Sequence, residues 1–418
     1  MKFFHTADIH LGVENYGRID SKTGIHSRLL DFAKNLDLMI DAAIAQQVDF
    51  FLFCGDAYKT AHPTPTQQKL FMNSLFRLYK ANIPVVIVVG NHDHPLSFGK
   101  AHSLDVFSSL PLNGFFVFSK PEIQAVQTKS GPIHIVGIPW PLRNNLVTTE
   151  TNRFKNNAEL GMYISEKIGT IIQSFAQELD PSIPAILAGH LSVSTALYSG
   201  SEKTAIYGFD PVFLPSQLAL EPFNYVALGH IHRYQNVNAK GTIPIVYPGS
   251  IERVDLGERH EEKGYCVVDI KKEKKHFVSS YDFITLPSRP MLSLEITLEK
   301  EGDQTQQLLD ALEKQTLDGT ILKITYHLPA GKADQVDINR IQQACNTAHH
   351  LVAIAPVHIQ ENKERRTTLK IDMDFTCMLT RYFQSKESLK DRQEELIKKT
   401  LLLDEELNRE LDENPPTV

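Results

Sequence analysis

The chain has 418 residues, with 43 Lys and Arg against 50 Asp and Glu, a formal net charge of −7 at pH 7. That acidic balance argues against nucleic-acid binding by bulk charge, although bound divalent cations and locally clustered basic residues can still build a basic face. No apolar run reaches the about eighteen residues of a membrane span. The 4 cysteines are scattered without a CxxC pair, which argues against a disulfide framework and structural zinc. The start, MKFFHTADIH, has no signal-peptide core, so the expectation is a cytoplasmic protein with no membrane partner.

Over residues 1–250 of a 1–285 domain one theme recurs: an apolar run of strand length, then polar residues, often after Gly. The runs are KFFHTADIH (2–10), VDFFLFCGD (48–56), IPVVIVVGNHD (83–93), IPAILAGH (183–190) and FNYVALGHIH (223–232). Apolar residues at helical spacing predict helices over 28–47 and 66–82, and a third covers roughly 157–179. Strands are also expected at 133–140, 243–250 and 264–270. Alternating strands and helices make an α/β layered domain, and such sheets carry ligands at the carboxyl ends of their strands.

LPSRP (286–290) reads as a linker, and 290–372 as a small α+β domain with strands, two helices and a last strand at RTTLKIDM (366–373). The tail, 375–412, is helical. Phe375, Met378, Leu379, Tyr382 and Phe383 form one apolar stripe. Ser385 is placed to cap a second helix, on which Leu389, Leu396 and Leu403 recur every seventh residue, and NPPTV closes the chain as a disordered end.

The strand ends collect Asp8 and His10 (DxH), Asp56 (GD), Asn91 and His92 (GNHD), His190 (GH), and His230 and His232 (GHxH). Each piece alone is an ordinary turn with a polar residue. Five pieces in order, each after an apolar run, are a different matter. Carboxylates, an amide oxygen and imidazoles are the ligand set of a pair of divalent metals of intermediate hardness. Such a pair activates water and clamps the oxygens of a phosphoester.

This series resembles the signature of the calcineurin-like metallophosphoesterases. HTADIHLG, GDAYKT…PTP, VVGNHDHP and YPGSIERVDLGE are more narrowly similar to the SbcD family, the nuclease subunits of the SbcCD DNA-repair complex. The resemblance implies a layered metallophosphoesterase β-sandwich flanked by helices, with the 290–372 domain capping the site and helping to admit DNA. It implies that Asp8, His10, Asp56 and His232 hold one metal, and Asp56, Asn91, His190 and His230 the other. His92 would act on the leaving 3′ oxygen, and Asp93 would orient His92 through a ring-nitrogen hydrogen bond. The implied activity is metal-dependent exonuclease and endonuclease cleavage of DNA phosphodiesters in repair and recombination. The cofactors would be two divalent ions, with Mn²⁺ suited to mixed oxygen and nitrogen ligands. The partners would be DNA, an SbcC-like SMC-type ATPase bound through the C-terminal helices, and a second nuclease subunit met through helix 66–82. One departure is Lys59, three residues after the GD aspartate, where several family members carry His or Asp. A lysine there suits a phosphate better than a metal.

Arg18, Lys22 and Arg28 in the loop 14–28 suit either a solvated connection or DNA phosphates, and so do Arg253 and Arg259 near GSIERVDLGE; Lys59, Arg18 and Arg253 stand as substrate-binding candidates. His5 reads as a packed core histidine or a support for Asp8, His94 as a turn residue, and His62 as a surface residue or a substrate contact. The rival function is a phosphodiesterase or phosphatase acting on small nucleotides or phosphoproteins, which shares every metal motif. A non-catalytic scaffold is the other rival, and it predicts lost ligands where none is lost.

Overall fold

The structure is a computed structural model that describes residues 1–95, 100–109, 113–142, 156–200, 210–274, 276–358, 374–384 and 386–413. The expected strand at 366–373, the Ser385 cap and the NPPTV end lie outside these residues. The described chain forms two compact units: Met1–Ile296 with Gly302–Tyr326 and Gln335–Ala355, and Thr297–Glu301 with His327–Asp334 and Pro356–Val418. No helix among the described residues is long and apolar enough to cross a membrane.

In the first unit the strands are β1 (Lys2–Thr6), β2 (Phe50–Cys54), β3 (Val85–Val88), β4 (Phe115–Phe118), β5 (Glu122–Thr128), β6 (Gly131–Ile138), β7 (Ala185–His190), β8 (Ser192–Val193), β9 (Val212–Phe213), β10 (Phe223–Gly229), β11 (Gln235–Asn236), β12 (Ile245–Tyr247), β13 (Gly264–Glu273) and β14 (His276–Thr285). Two six-stranded sheets result, ordered β14-β13-β1-β2-β3-β4 and β11-β12-β10-β7-β6-β5. β1 to β4 run parallel, with Phe3 opposite Phe50 and Phe51 opposite Val85. β7 and β10 are parallel too, and their last residues, His190 and Gly229, are paired.

Side-chain alternation builds the layers. On β2, Phe50, Leu52 and Cys54 enter the core between the sheets, where Ile186, Ala188, Tyr225 and Ala227 meet them from β7 and β10. Phe51 and Phe53 point the other way and pack under α1 (Ser27–Ala45) and α2 (Pro65–Lys80). The short α3 (Asp105–Ser109) adds Phe107 to that same core. On the other sheet, Leu187 and Val226 face outward under α4 (Asn157–Glu178). The central strands are therefore apolar on both faces, as expected of parallel strands covered by helices.

The helices fall close to their expected spans. α1 buries Leu29, Phe32, Leu36, Met39, Ile40 and Ala43 on one face, and each large side chain so buried contributes about 1.5–3 kcal/mol. α2 starts at a capping box, Thr64 with Gln67, and has Pro65 in its first turn.

β15 (Met291–Thr297), β16 (Ile321–Leu328) and β17 (His350–His358) form a three-stranded sheet, with helices Gln304–Glu313 and Ile338–Ala344 between them in sequence. In the second unit, helix Phe375–Gln384 is followed by a 3₁₀ turn, Glu387–Arg392, and helix Gln393–Glu413. Leu389 lies in the 3₁₀ turn, so the seven-residue leucine spacing does not run along a single helix. Phe375, Tyr382, Leu402 and Leu403 are exposed, while Phe383 is buried.

Candidate metal centre

The strand-end motifs meet at one end of the sandwich because the loops leaving the strands lock onto one another. Asp8 donates its backbone N–H to Gly55 O (2.9 Å), and His10 donates to Asp56 O (3.0 Å). The Asp93 carboxylate then accepts the backbone N–H groups of Asp56 (2.9 Å), Gly90 (3.0 Å) and Ala57 (3.1 Å). Asp8, His10, Asp56 and His230 all have positive φ, at 52°, 48°, 62° and 101°. Such backbone costs about 1–3 kcal/mol per non-glycine residue and persists where surrounding structure imposes it. Gly229 marks a close approach of the two sheets, since a Cβ there would sit 1.9 Å from Cys54 O.

Three overlapping groups follow: Asp8, His10 and His232; His10, Asp56 and His92; and Asp56, His190 and His230. Within each, the ligand-type atoms lie within 4.8 Å of one another. On the first side, His10 Nε2 and His232 Nε2 are 2.9 Å apart. Glu258 Oε1 accepts the His232 Nδ1 proton at 2.9 Å, which leaves His232 Nε2 as a lone pair. Two ligands about 2.1 Å from a shared cation and at right angles stand about 3 Å apart, so this spacing fits a common ion.

On the second side, His190 Nδ1 donates to Cys54 O (2.7 Å), and its Nε2 faces Asn91 Oδ1 (2.9 Å) and Asp56 Oδ2 (3.3 Å). His230 Nδ1 is 3.1 Å from the same Asn91 oxygen. The His230 backbone N–H donates to the Asp8 carboxylate (3.0 Å), which ties the halves together. Asp56 Oδ2 lies 3.3 Å from His190 Nε2 and 3.9 Å from His10 Nε2, between the two sides. All seven expected ligand side chains are brought together, and their donor set fits two divalent cations.

The charges follow from burial and pairing. Burial opposes ionisation of Asp56, but His190 and His92 beside it hold its carboxyl well below the usual range. Burial also opposes a His190 cation, yet the Asp56 carboxylate prevails and raises the ring to about 9. His10 is pushed the other way, well below 6.5, by burial and by His232. Burial and the neighbouring Asp56 raise the Asp93 carboxyl to about 6.

His92 is exposed beside the centre, 5.0 Å ring to ring from His10. Its Nδ1 donates to Lys59 O at 2.8 Å, which leaves Nε2 as the ring nitrogen not engaged by that contact. The expected Asp93–His92 hydrogen bond is therefore replaced: Asp93 is buried and spent on three backbone amides and on Ser103 Oγ (3.3 Å). It shapes the loops and does not hold His92.

Other expectations also change. Arg253 donates to Glu261 O and Arg289 O, at 3.0–3.2 Å, so its guanidinium is committed inside the fold and is not free for substrate. Arg28 is fully buried and pairs with Asp31 (3.0 Å), and Arg259 donates to Leu256 O (3.1 Å). Lys59, whose carbonyl holds His92, is exposed, and so are Arg18 and His62. His5 is packed: Tyr225 and Leu228 O hold its two nitrogens, and burial drives its ring down to about 3.

The strand-end motifs do not reveal two further groups. Glu258, in GSIERVDLGE, is fully buried between His232 and Lys263 Nζ (2.8 Å). Lys263 also donates to His232 O (2.9 Å). Lys263 and His232 overcome the burial cost and hold Glu258 down to about 2. Asp210 Oδ2 sits 3.5 Å from His230 Nε2. Neither carboxylate follows an apolar strand, so no local signal marks it. Trp140, the single tryptophan, packs its ring 4.8 Å from His230 and closes that wall.

A family profile described as calcineurin-like phosphoesterase matches residues 1–234. The chain is 25% identical to the SbcD subunit of the SbcCD nuclease of Bacillus subtilis, over 87% of this chain and 88% of that one. It is 26% identical to the corresponding SbcD protein of Staphylococcus saprophyticus, over 75% and 76% of the two chains. It is also 25% identical to the DNA double-strand break repair protein Mre11 of Archaeoglobus fulgidus, over 82% and 71%.

Proposed function

Because the chain belongs to the calcineurin-like phosphoesterase family, we propose that it is a two-metal DNA nuclease acting in repair and recombination. The protein is a phosphoester hydrolase by family. The observation that carries the finer reading is the convergence of seven ligand-type side chains in a chain that resembles nuclease subunits along most of its length.

Asp8, His10, Asp56 and His232 would hold one ion and Asp56, Asn91, His190 and His230 the other, Mn²⁺ being the ion proposed. Bound there, the ions supply electrophilic charge to a phosphodiester and lower the pKa of water. The protein's own groups do the rest. Asp56 is fixed between the two ligand sets by the His92 backbone N–H (2.8 Å). His92, with Nδ1 held by Lys59 O, would give its Nε2 proton to the leaving oxygen as an imidazolium. Glu258 and Cys54 O keep His232 and His190 in the tautomers that present Nε2. Arg18 and the Lys59 side chain remain the proposed phosphate contacts. The proposal extends to an SbcC-like ATPase on the C-terminal helices, a nuclease homodimer through Pro65–Lys80, a capping role for 290–372 and a cytoplasmic setting.

The test is cleavage of linear duplex DNA and of a small chromogenic phosphodiester by metal-stripped and Mn²⁺-reloaded protein, each alongside His92→Ala at equal metal content. Metal-dependent DNA cleavage that falls by about 10²–10⁴ in the variant is expected. Hydrolysis of the small ester alone, even with an SbcC-type ATPase and ATP added, would leave the small-nucleotide phosphodiesterase in its place.

A further inference from the structure

Beyond the centre, the loop that leaves GNHD carries two histidines that the reaction does not use. Asp93 O accepts the Ser103 backbone N–H (3.0 Å), and Asp93 Oδ1 accepts Ser103 Oγ (3.3 Å), so the chain returns to the residue it left. This fixes His94, just after Asp93, near His102, just before Ser103. The two rings are 5.7 Å apart and inclined at 71°. Buried His94 Nε2 and buried His102 Nδ1 have no hydrogen-bond partner among the described residues.

Buried imidazole nitrogens are ordinarily satisfied, and an orphan pair on adjacent rings calls for a ligand. The imidazole pairs of the centre stand at 4.8 Å and 64° (His10 and His232) and at 5.3 Å and 68° (His190 and His230). The His94–His102 pair is spaced wider than either, at 5.7 Å. On its far side, His102 Nε2 faces Asp105 Oδ1 at 3.8 Å, a carboxylate nearby but beyond hydrogen-bond distance.

We propose that His94 and His102 hold a further divalent transition ion, separate from the two-metal centre and of the imidazole-preferring class typified by zinc. Two protein nitrogens, with water completing the shell, make a site weaker than a closed four-ligand one. Burial, with His102 alongside, lowers His94 to about 4, and burial lowers His102, so both rings are neutral and ligand-competent at neutral pH.

The site is tested with zinc alone as the probe, on the full chain. Long-range ¹H–¹⁵N spectra of the parent protein are expected to show His94 and His102 nitrogens shifting to the coordinated position as zinc is added. Metal analysis should show one zinc per chain lost in His94→Ala, in His102→Ala and in the double variant alike, with no further loss in the double. His232→Ala should lose zinc from the centre and keep the His94–His102 signals, which separates this site from the one above. Equal zinc content in parent and His102→Ala, or ring nitrogens unmoved by zinc in the parent, would overturn the proposal and leave a hydrated pair. The parent spectra need no variant, so a variant that fails to fold leaves the test intact.

Discussion

The two halves of the metal centre use similar ligands but are supported differently. Behind His232 stands an ionised Glu258, fully buried and neutralised by the equally buried Lys263. Behind His190 stands a peptide carbonyl, Cys54 O, and behind His230 a partly exposed Asp210 at 3.5 Å. A carboxylate fixes the ring and raises its basicity, whereas a carbonyl mainly fixes the ring. The Asp8–His10–His232 half should therefore bind its ion more tightly, and the Asn91–His190–His230 half should exchange more readily. Two successive affinities in a metal titration are the signature of this difference, and one shared affinity would count against it.

Asp56 belongs to both halves, so its removal should erase the contrast. Asp56→Ala is expected to lose both ions and to lower kcat by more than the about 10²–10³ that a single preorganised electrostatic contact supplies. Metal analysis and single-turnover hydrolysis of the small phosphodiester check this. Retention of one full ion would show that Asp56 serves only one half.

The next largest effects fall on the first half alone. Lys263→Met leaves Glu258 buried without its cation, and breaking a buried pair in this way costs about 3–5 kcal/mol. Glu258→Gln keeps the shape, removes the charge, and should weaken the first ion by about 10–100-fold while sparing the second. The double variant should regain part of the stability lost in Lys263→Met, because the fully buried position 258 no longer carries a charge, although the partly exposed Glu261 still loses Lys263. Thermal unfolding and metal titration of the three proteins separate the stability effect from the affinity effect.

These partners also mark where the sequence stops being informative. DxH, GD, GNHD, GH and GHxH are legible because each sits in its own strand-to-loop turn, and parallel strands deliver those turns to one end. The alternation of Phe50, Phe51, Leu52 and Phe53 between two cores is legible for the same local reason. Glu258 lies 26 residues from His232 and meets it only through the folded loop. The family resemblance suggests Asp93 as a partner of His92. Instead the close approach of the loops after β2 and β3 presents it with three amide donors, which outcompete a single ring nitrogen. Its place beside the Gly-Ser turn after a strand makes Arg253 look available, but the carbonyls of Glu261 and Arg289 that occupy it come from elsewhere in the chain. Motif position predicts which residues meet, whereas donor and acceptor choices among them depend on tertiary contacts.

A smaller effect separates the halves by pH. In the metal-free protein, burial works against a His190 cation but the Asp56 carboxylate raises the ring from 6.5 to about 9. The pairing stabilises the fold fully below 6.5 and is lost as pH rises through about 9. An ion entering the second half must displace that proton, so its affinity should rise about tenfold per pH unit from 7 towards 9 and then level off. His10, held neutral by burial and by His232, imposes no such requirement on the first half. A pH-flat second affinity would mean that His190 does not carry the proton.

The smallest effect is expected at Asp210. Its carboxylate approaches His230 Nε2 at 3.5 Å, beyond a short charged hydrogen bond, and it keeps 17% of its side-chain surface exposed. Solvent screening therefore weakens what it adds to the basicity of His230. Asp210→Asn retains an oxygen that can accept the same proton, so His230 should keep presenting Nδ1 towards Asn91. The second affinity is then expected to fall by less than about tenfold, below the range for a well-seated supporting carboxylate. The first affinity and the stability should not move. A loss as large as that of Glu258→Gln would place Asp210 on an equal footing with Glu258 and remove the asymmetry between the halves.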